Sequence, residues 1–268
     1  MRTRAITGFF FILVMLASVL FSGYVFLVFF MLLSLLCLDE FYRLVKTDEI
    51  RPRRIMGGIL ALSIYLPVIY YFQQSGSQKY LIFAVPVTII ISIAELYRRS
   101  LNPFINLAYT FLGVCYIILP FCLFSASSFL SGEYNFHISL GTLILLWAND
   151  TGAYLFGVKF GKNKLFERHS PKKSWEGFFG GMFCSLLVAF ILSTQYPELP
   201  VLHWAVMSLL VVIGGTFGDL CESMLKRSTG KKDSGSVLPG HGGFLDRFDG
   251  LLFAAPLVFV YLYLIFSF

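Results

Sequence analysis

Four aspartates in the second half of the chain lie within or beside long apolar stretches, where an ionised side chain is costly and usually has a partner. They are Asp150 in LLWANDTGAY, Asp219 in GGTFGDLCESMLKR, and Asp246 and Asp249 in GGFLDRFDG. Clustered carboxylates repel one another unless a cation joins them, and their oxygens suit Mg²⁺, which also takes substrate phosphate oxygens. We therefore expect Asp219 and Asp246, and next Asp150 and Asp249, to bind Mg²⁺, alone or with a second cation.

Helical spacing places a carboxylate, a hydroxyl and an ammonium on one face of the stretch around residue 219. Asp219, Ser223 and Lys226 are spaced i, i+4, i+7, and Arg227 follows them. The two later aspartates are spaced i, i+3 and share a face if their helix has begun. These spacings predict a carboxylate-rich pocket with cations at its edge, in which Ser223, Lys226 and Arg227 contact the substrate phosphates.

The segments around these acids supply further polar groups. Glycines surround His241 in LPGHGG, where they let the backbone approach a ligand and present bare N–H groups. A second basic segment, GKNKLFERHSPKKSWEG, covers residues 161–177 and offers ammonium groups for phosphates. The candidate substrate-binding residues are Asn149, Asp150, Lys172, Lys173, His241, Gly242, Gly243 and Arg247.

The same residues also allow a structural interpretation. In that alternative, Glu222 pairs with Lys226 across one helical turn, and intramembrane charges often pair in this way. Asp246 and Asp249 would then be helix N-terminal acids that the helix dipole stabilises. The glycines around residue 241 favour the ligand-binding interpretation, because a plain connecting loop does not need them.

The elements that must position these residues are membrane helices. The chain is 57% hydrophobic and 13% charged, with a mean hydropathy of +0.77, whereas soluble domains carry about 25% charged residues. We predict an all-α, polytopic membrane protein with about nine transmembrane helices and a retained first helix. Their expected positions are near 7–21, 24–44, 54–72, 79–97, 104–124, 138–156, 175–194, 201–225 and 250–267.

The basic residues predict how these helices are oriented. With nine helices, 20 of the 21 Lys and Arg residues fall on one side, together with the N-terminus, and positive loops face the cytoplasm. The N-terminus, loops 157–174 and 226–249 and the active site are therefore expected on the cytoplasmic side. Residues such as Lys46 and Arg53 need only this topological role. For Glu40 and Glu95, near helix ends, we expect solvated or locally paired carboxylates.

Two regions follow from this distribution of chemistry: N-terminal transmembrane helices over 1–135, and catalytic helices over 136–268. GxxxG spacings at 157/161, 177/181 and 214/218 predict close helix packing. The sequence lacks a G-x-x-x-x-G-K-[ST] phosphate loop, an H-E-x-x-H zinc motif and a G-x-S-x-G elbow. It also lacks a recognisable nucleic-acid-binding module, and the absence of an internal repeat disfavours an ion-coupled transporter.

Three blocks of the C-terminal half resemble one enzyme family. The run SMLKRSTGKKDSGSVLPGHGGFLDRFD, residues 223–249, is similar to the signature of the CDP-diacylglycerol synthases, also called phosphatidate cytidylyltransferases. The stretches W-x-N-D-T-x-A-Y at 147–154 and S-P-K-K-S-W-E-G at 170–177 also resemble blocks of that family. The matching signature positions are Ser223, Arg227, Lys232, Asp233, Pro239, His241, Gly242, Gly243, Asp246, Arg247 and Asp249.

This resemblance implies that CTP and phosphatidate react to give CDP-diacylglycerol and pyrophosphate. It also implies dependence on a divalent cation and a homodimer that contacts membrane lipids. The protein would be a multi-pass membrane protein of a bacterial cytoplasmic membrane. The alternative within the same superfamily is a CTP-dependent transferase that acts on an isoprenoid lipid.

Overall fold

The computed structural model describes residues 2–74, 78–235 and 242–266, and helices account for nearly all of the regular structure there. The helices are α1 (Arg2–Phe21), α2 (Gly23–Val45), α3 (Arg54–Gln74), α4 (Ala84–Leu96), α5 (Pro103–Gly113), α6 (Leu119–Ser127), α7 (Phe136–Phe160), α8 (Trp175–Gln195), α9 (Val201–Ser228) and α10 (Leu245–Phe266). A 3₁₀ segment, Gln78–Phe83, leads into α4, and a π-helical turn, Val114–Ile118, joins α5 to α6.

Seven helical segments within the described residues are long and apolar enough to cross a membrane. They are Gly23–Val45, Arg54–Phe72, Lys79–Leu96, Pro103–Ser127, Trp175–Gln195, Val201–Ser228 and Leu245–Phe266. The predicted all-α, polytopic membrane class is therefore confirmed. Helices also occupy the other two expected positions, as α1 and as the 25-residue α7, while the number of crossings and their orientation stay predictions.

The sequence-based boundaries differ from the structure at the C-terminal end. We expected the last helix to begin near 250, but α10 begins at Leu245. Asp246 and Asp249 therefore lie in the first turns of a helix, which is the condition under which their i, i+3 spacing places them on one face. Likewise α9 continues to Ser228, beyond the expected end at 225.

A short antiparallel hairpin lies in the basic segment that we expected to be a loop. Its strands are β1 (Lys164–Phe166) and β2 (Ser170–Ser174). The hydroxyl of Ser174 then caps α8 by accepting a hydrogen bond from the Gly177 N–H, at 3.2 Å. The Glu176 carboxylate accepts hydrogen bonds from the Asn163 side chain, at 2.8 Å, and from two backbone N–H groups before β1. These contacts fix the hairpin to the start of α8.

The chain divides into two compact units that do not follow chain order. The first, unit 1, contains Met1–Ala126 and Asp233–Asp246, and the second, unit 2, contains Ser127–Lys232 and Arg247–Phe268. The described residues of this second stretch, 233–235 and 242–246, thus belong with the N-terminal helices by packing. The expected division at 135/136 was based on where the candidate catalytic residues lie in the sequence. As a division of function it stays a prediction.

Aromatic side chains form much of the core of unit 1. The Phe30 ring centroid lies 4.9 Å from those of Phe26 and Phe124, which brings α2 against α6. All three rings are buried, and tilted aromatic pairs at this distance stabilise packing beyond their buried area. Tyr42 in α2 donates a hydrogen bond of 2.6 Å to the Thr110 carbonyl oxygen in α5.

Glycines allow the helices of unit 2 to approach closely. A Cβ placed on Gly181 in α8 would lie 2.5 Å from the Asn149 Oδ1 atom in α7. A Cβ on Gly214 in α9 would lie 2.6 Å from the Ala254 Cα atom in α10. Since any larger residue would separate these backbones, the predicted packing role of the GxxxG spacings is confirmed at these positions.

Candidate active site

Three carboxylates of unit 2 converge where α9 meets α10. Asp219 and Glu222, one turn apart on α9, and Asp249 on α10 each offer an oxygen within 4.8 Å of the others. The approach depends on Gly218, because a Cβ there would clash with the carbonyl oxygen of Asp249. We call Asp219, Glu222 and Asp249 the acidic cluster.

Two lysines contact the acidic cluster from different elements. The Lys173 ammonium, on β2, lies 2.5 Å from an Asp219 carboxylate oxygen and donates to the Thr216 carbonyl oxygen at 3.3 Å. Lys226 donates a 2.7 Å hydrogen bond to Glu222, whose side chain has no exposed surface. The predicted salt bridge between Glu222 and Lys226 is therefore present, but it forms part of the larger cluster.

A polar cavity of about 310 Å³ adjoins Asp219. Its lining comes from α7, the hairpin, the start of α8 and α9: Asn149, Asp150, Ala153, Tyr154, Gly157, Leu165, Lys172, Lys173, Ser174, Gly177, Phe178, Thr216 and Asp219. Asp150 interacts electrostatically with Lys173, Asp219 and Arg247. The buried Oδ1 atom of Asn149 accepts no hydrogen bond from the described residues and lies against Gly181 of α8.

The structure places the remaining predicted residues of unit 2 around these groups. Ser223 donates a long hydrogen bond, 3.4 Å, to Asp219. Arg227 lies exposed at the end of α9 and donates to the Lys231 carbonyl oxygen at 3.3 Å. Lys172 is exposed on β2, beside the less exposed Lys173. The predicted arrangement of Asp219, Ser223 and Lys226 along one side of α9 is therefore present. The polar end of this side lies next to the acidic cluster and reaches solvent.

Asp246 has backbone partners within unit 1. Its carboxylate accepts hydrogen bonds from the backbone N–H groups of Gly243, at 2.8 Å, and Ser234, at 3.0 Å. A Cβ placed on Gly242, at φ +83°, would lie 2.5 Å from the same carboxylate. These contacts match the alternative of a helix N-terminal acid. The metal-binding role of Asp246 and the ligand contacts of both glycines stay predictions, and His241 lies outside the described residues.

Glu40 supports the same segment from α2. It is 4% exposed and accepts hydrogen bonds from the Leu245 N–H, at 2.9 Å, and the Ser234 hydroxyl, at 3.3 Å. Our expectation of a solvated or locally paired Glu40 is wrong, because its partners lie about 200 positions later in the chain. We call Glu40 and Asp246 the anchor pair, since both accept hydrogen bonds from Ser234 and from a backbone N–H group just before Asp246.

Sequence analysis missed two members of these sites. Glu222 was assigned only to the salt bridge, although its i, i+3 spacing from Asp219 is the same spacing that drew attention to the pair in α10. For Glu40 no local signal exists, since an acid near a helix end is usually solvated. The first could have been found from spacing, whereas the second required the tertiary structure.

Comparison with known proteins relates the whole chain to one family. The model of the cytidylyltransferase family matches residues 2–265. A protein of Staphylococcus epidermidis named phosphatidate cytidylyltransferase is 33% identical over 263 residues, which cover 96% of this chain and 97% of the relative. Proteins of the same name from Staphylococcus aureus and Staphylococcus haemolyticus are 31% and 33% identical, with the same coverage.

Proposed function

The chain belongs to the cytidylyltransferase family, and from that premise we propose that it transfers the cytidylyl group of CTP to phosphatidate. An oxygen of the phosphatidate phosphate forms a bond to the α-phosphorus of CTP. The bond from that phosphorus to the oxygen bridging to the β-phosphorus breaks, so pyrophosphate leaves and CDP-diacylglycerol forms. The observation that carries the proposal is the acidic cluster with its two lysines, in a chain whose relatives are named for this reaction.

The main obstacle to this reaction is the repulsion between two polyanions. The attacking phosphate oxygen is already anionic near neutral pH, so positive charge and positioning matter more than a strong base. Lys173 and Lys226 supply ammonium groups whose positions carboxylates fix before a substrate arrives. Ser223, Arg227, Arg247 and the exposed Lys172 give further contacts to phosphates in this proposal.

The acidic cluster suits a hard divalent cation. Three carboxylates with oxygens within 4.8 Å of one another provide the oxygen ligands that Mg²⁺ prefers. In this proposal Asp219, Glu222 and Asp249 hold Mg²⁺, and Asp150 and Asp246 remain the further predicted ligands. When bound, Mg²⁺ supplies positive charge to the phosphate oxygens of the substrates.

The polar cavity next to the acidic cluster is the proposed site for part of the nucleotide. Its volume of about 310 Å³ lies at the lower end of the range for small-molecule sites, roughly 300–1,000 Å³. Asn149, Ser174 and Thr216 line this cavity as uncharged polar residues of the proposed nucleotide site. Asp150, next to Lys173 in this wall, orients the ammonium toward the phosphates.

The seven apolar helical segments of the described residues make the chain a multi-pass membrane protein. We place it in a bacterial cytoplasmic membrane, with loops 157–174 and 226–249 on the cytoplasmic side, because the basic residues collect there. CTP then arrives from the cytoplasm and phosphatidate from the bilayer. We also propose that the enzyme acts as a homodimer.

A substrate comparison with the purified protein tests the proposal. The protein, in detergent with Mg²⁺ and α-labelled CTP, should form labelled CDP-diacylglycerol and one pyrophosphate per product when phosphatidate is supplied. A polyprenyl phosphate offered in parallel should accept no label. Labelling of the polyprenyl phosphate alone would favour the isoprenoid-lipid alternative and contradict the proposal.

A further inference from the structure

A second cavity lies in unit 1, and among the described residues it shares no lining residue with the polar cavity. Its volume is about 970 Å³, and it lies at the end of α2 and the beginning of α3. We call it the basic cavity, because the described residues that line it include five cations and one carboxylate. They are Lys46, Arg51, Arg53, Arg54, Arg98 and Asp39, and the other lining residues are Leu35, Leu38, Tyr42, Pro52, Ile55, Met56 and Gly58.

A buried carboxylate holds two of these cations in place. Glu95 is 1% exposed and accepts hydrogen bonds from Arg53 Nε, at 2.6 Å, and from Asn106 Nδ2, at 2.9 Å. Arg98 lies 3.5 Å from the same carboxylate. The expected local pairing of Glu95 is present, because Arg98 is its i, i+3 neighbour. Glu95 is buried and not solvated, and it also pairs with the distant Arg53, whose topological role stays a prediction. Two guanidinium groups are fixed in the wall, so a ligand need not order them.

The backbone between these cations is also fixed. Asn106 Oδ1 accepts a 2.6 Å hydrogen bond from the Arg51 N–H, and Thr110 Oγ1 accepts a 2.9 Å bond from the Arg53 N–H. Both acceptors belong to α5, and both side chains are buried. Residues 51–53 therefore form a rigid rim, which a charge cluster serving topology alone does not require.

The charges of this cavity favour an anion. Glu95 is shared by Arg53 and Arg98, and Asp39 pairs with Arg54 and with Arg43 outside the cavity. Within the described residues, Lys46 and Arg51 make no ion pair with a carboxylate, and both are exposed. Arginine forks bind phosphate through paired N–H groups, and lysine adds a compact charge.

The apolar part of the lining favours an amphiphile over a soluble phosphate. Ile55 is 81% exposed, and Leu35 and Met56 also line the cavity beside the cations. Exposed apolar surface next to fixed cations, at the end of two membrane-spanning segments, matches a headgroup with acyl chains. We propose that the basic cavity binds the phosphate of an anionic phospholipid, with Lys46 and Arg51 as its direct contacts and Ile55 against its acyl chains.

Lipid binding to the full-length protein tests the site without any turnover. The protein in a mild detergent is titrated with phosphatidylglycerol, and bound lipid is counted by native mass spectrometry. The double variant Lys46→Gln/Arg51→Gln should bind on the order of tenfold more weakly. The matched control Lys79→Gln/Arg99→Gln removes the same charge outside the cavity, at two exposed positions, and should bind as the parent does. Equal losses in both double variants would overturn the proposal, since general surface charge would explain them.

Two further arms distinguish a lipid from a free phosphate and from a folding defect. Ile55→Ser should weaken phosphatidylglycerol binding without loss of thermal stability, since this side chain is exposed. The charge-conserving Lys46→Arg/Arg51→Lys variant should keep most of the affinity. Inorganic phosphate that competes as strongly as the lipid, with the same dependence on Lys46 and Arg51, would overturn the lipid assignment.

Discussion

Two groups of carboxylates, one in each unit, have different partners. In unit 1 the anchor pair, Glu40 and Asp246, accepts hydrogen bonds from the backbone N–H groups of Ser234, Gly243 and Leu245 and from the Ser234 hydroxyl. In unit 2 the acidic cluster faces lysine ammonium groups and brings three carboxylates within 4.8 Å of one another. Both Asp246 oxygens and one Glu40 oxygen have hydrogen-bond donors within the fold, whereas crowded carboxylates remain in need of cations.

This difference gives the two groups different expected functions. The anchor pair fixes a segment whose glycines leave room for the carboxylates, and its contribution should appear in stability. The acidic cluster concentrates negative charge beside two ammonium groups, and its contribution should appear in metal binding and turnover. Substitutions that remove charge but keep shape can distinguish these contributions. A substitution in the anchor pair should change only the stability, and one in the acidic cluster should change only metal binding and turnover.

The largest expected effect is loss of turnover from the acidic cluster. Asp219→Asn and Asp249→Asn should each lower kcat on the order of 10³-fold, because each removes a carboxylate charge from the proposed Mg²⁺ site. The double variant should be scarcely worse than either single one, since residues acting as a unit are not additive. Steady-state kinetics across a Mg²⁺ titration, with the thermal midpoint recorded for every variant, measures both effects.

Two outcomes would contradict this assignment. Folded Asp219→Asn protein with near-parental turnover would show that the acidic cluster is structural. Effects of the two single substitutions that multiply in the double variant would show that Asp219 and Asp249 act independently, and a shared cation would then be the wrong explanation.

A smaller effect is expected from the cations of the hairpin. Lys173→Ala should lower kcat/KM on the order of 10²-fold, because its ammonium contacts Asp219 in the wall of the polar cavity. Lys172→Ala removes the same charge from the neighbouring, exposed position and should cost less than about threefold. The ratio between these neighbours is the informative quantity, and equal losses would mean that the hairpin acts through overall charge.

Part of this architecture could be predicted from the sequence. Runs of apolar residues are long enough to mark the helices directly, and the spacing of Asp219, Ser223 and Lys226 shows which side chains share a face. The hairpin was missed because SPKKS is polar and mostly exposed, without the alternation that marks a half-buried strand. The start of α10 was misplaced because charged residues in its first turns look like a loop in a hydropathy pattern.

The anchoring by Glu40 could not be predicted, and the reason is physical. Its hydrogen bond to the Leu245 N–H joins residues 205 positions apart. A carboxylate near a helix end becomes buried only when a distant segment supplies enough donors to replace water. The local sequence of α2 does not indicate which distant groups will donate hydrogen bonds to Glu40, so sequence analysis assigned this carboxylate to solvent or to a local partner.

The smallest expected effect concerns the anchor pair, and it decides whether the comparison holds. Asp246→Asn keeps the shape of the side chain, and its amide oxygen can still accept the two hydrogen bonds that Oδ2 now accepts. However, an amide N–H₂ replaces the Oδ1 atom, which accepts a 3.2 Å bond from the Ser234 N–H. We expect a loss of about 0.5–1.5 kcal/mol in stability, the usual net contribution of one hydrogen bond. Glu40→Gln should lose a similar amount.

Asp48→Asn is the matched control, because it removes an exposed acid of the same unit and should leave the thermal midpoint within error. Thermal unfolding in detergent and the Mg²⁺ dependence of turnover are measured on the same samples. If Asp246→Asn keeps the parental midpoint and raises the Mg²⁺ requirement, Asp246 is a metal ligand, as its sequence position first suggested. The distinction in function between the anchor pair and the acidic cluster would then be wrong. If the midpoint falls while folded molecules keep their Mg²⁺ dependence, the Asp246 carboxylate serves the backbone N–H groups of Ser234 and Gly243, and the acidic cluster alone carries the cation.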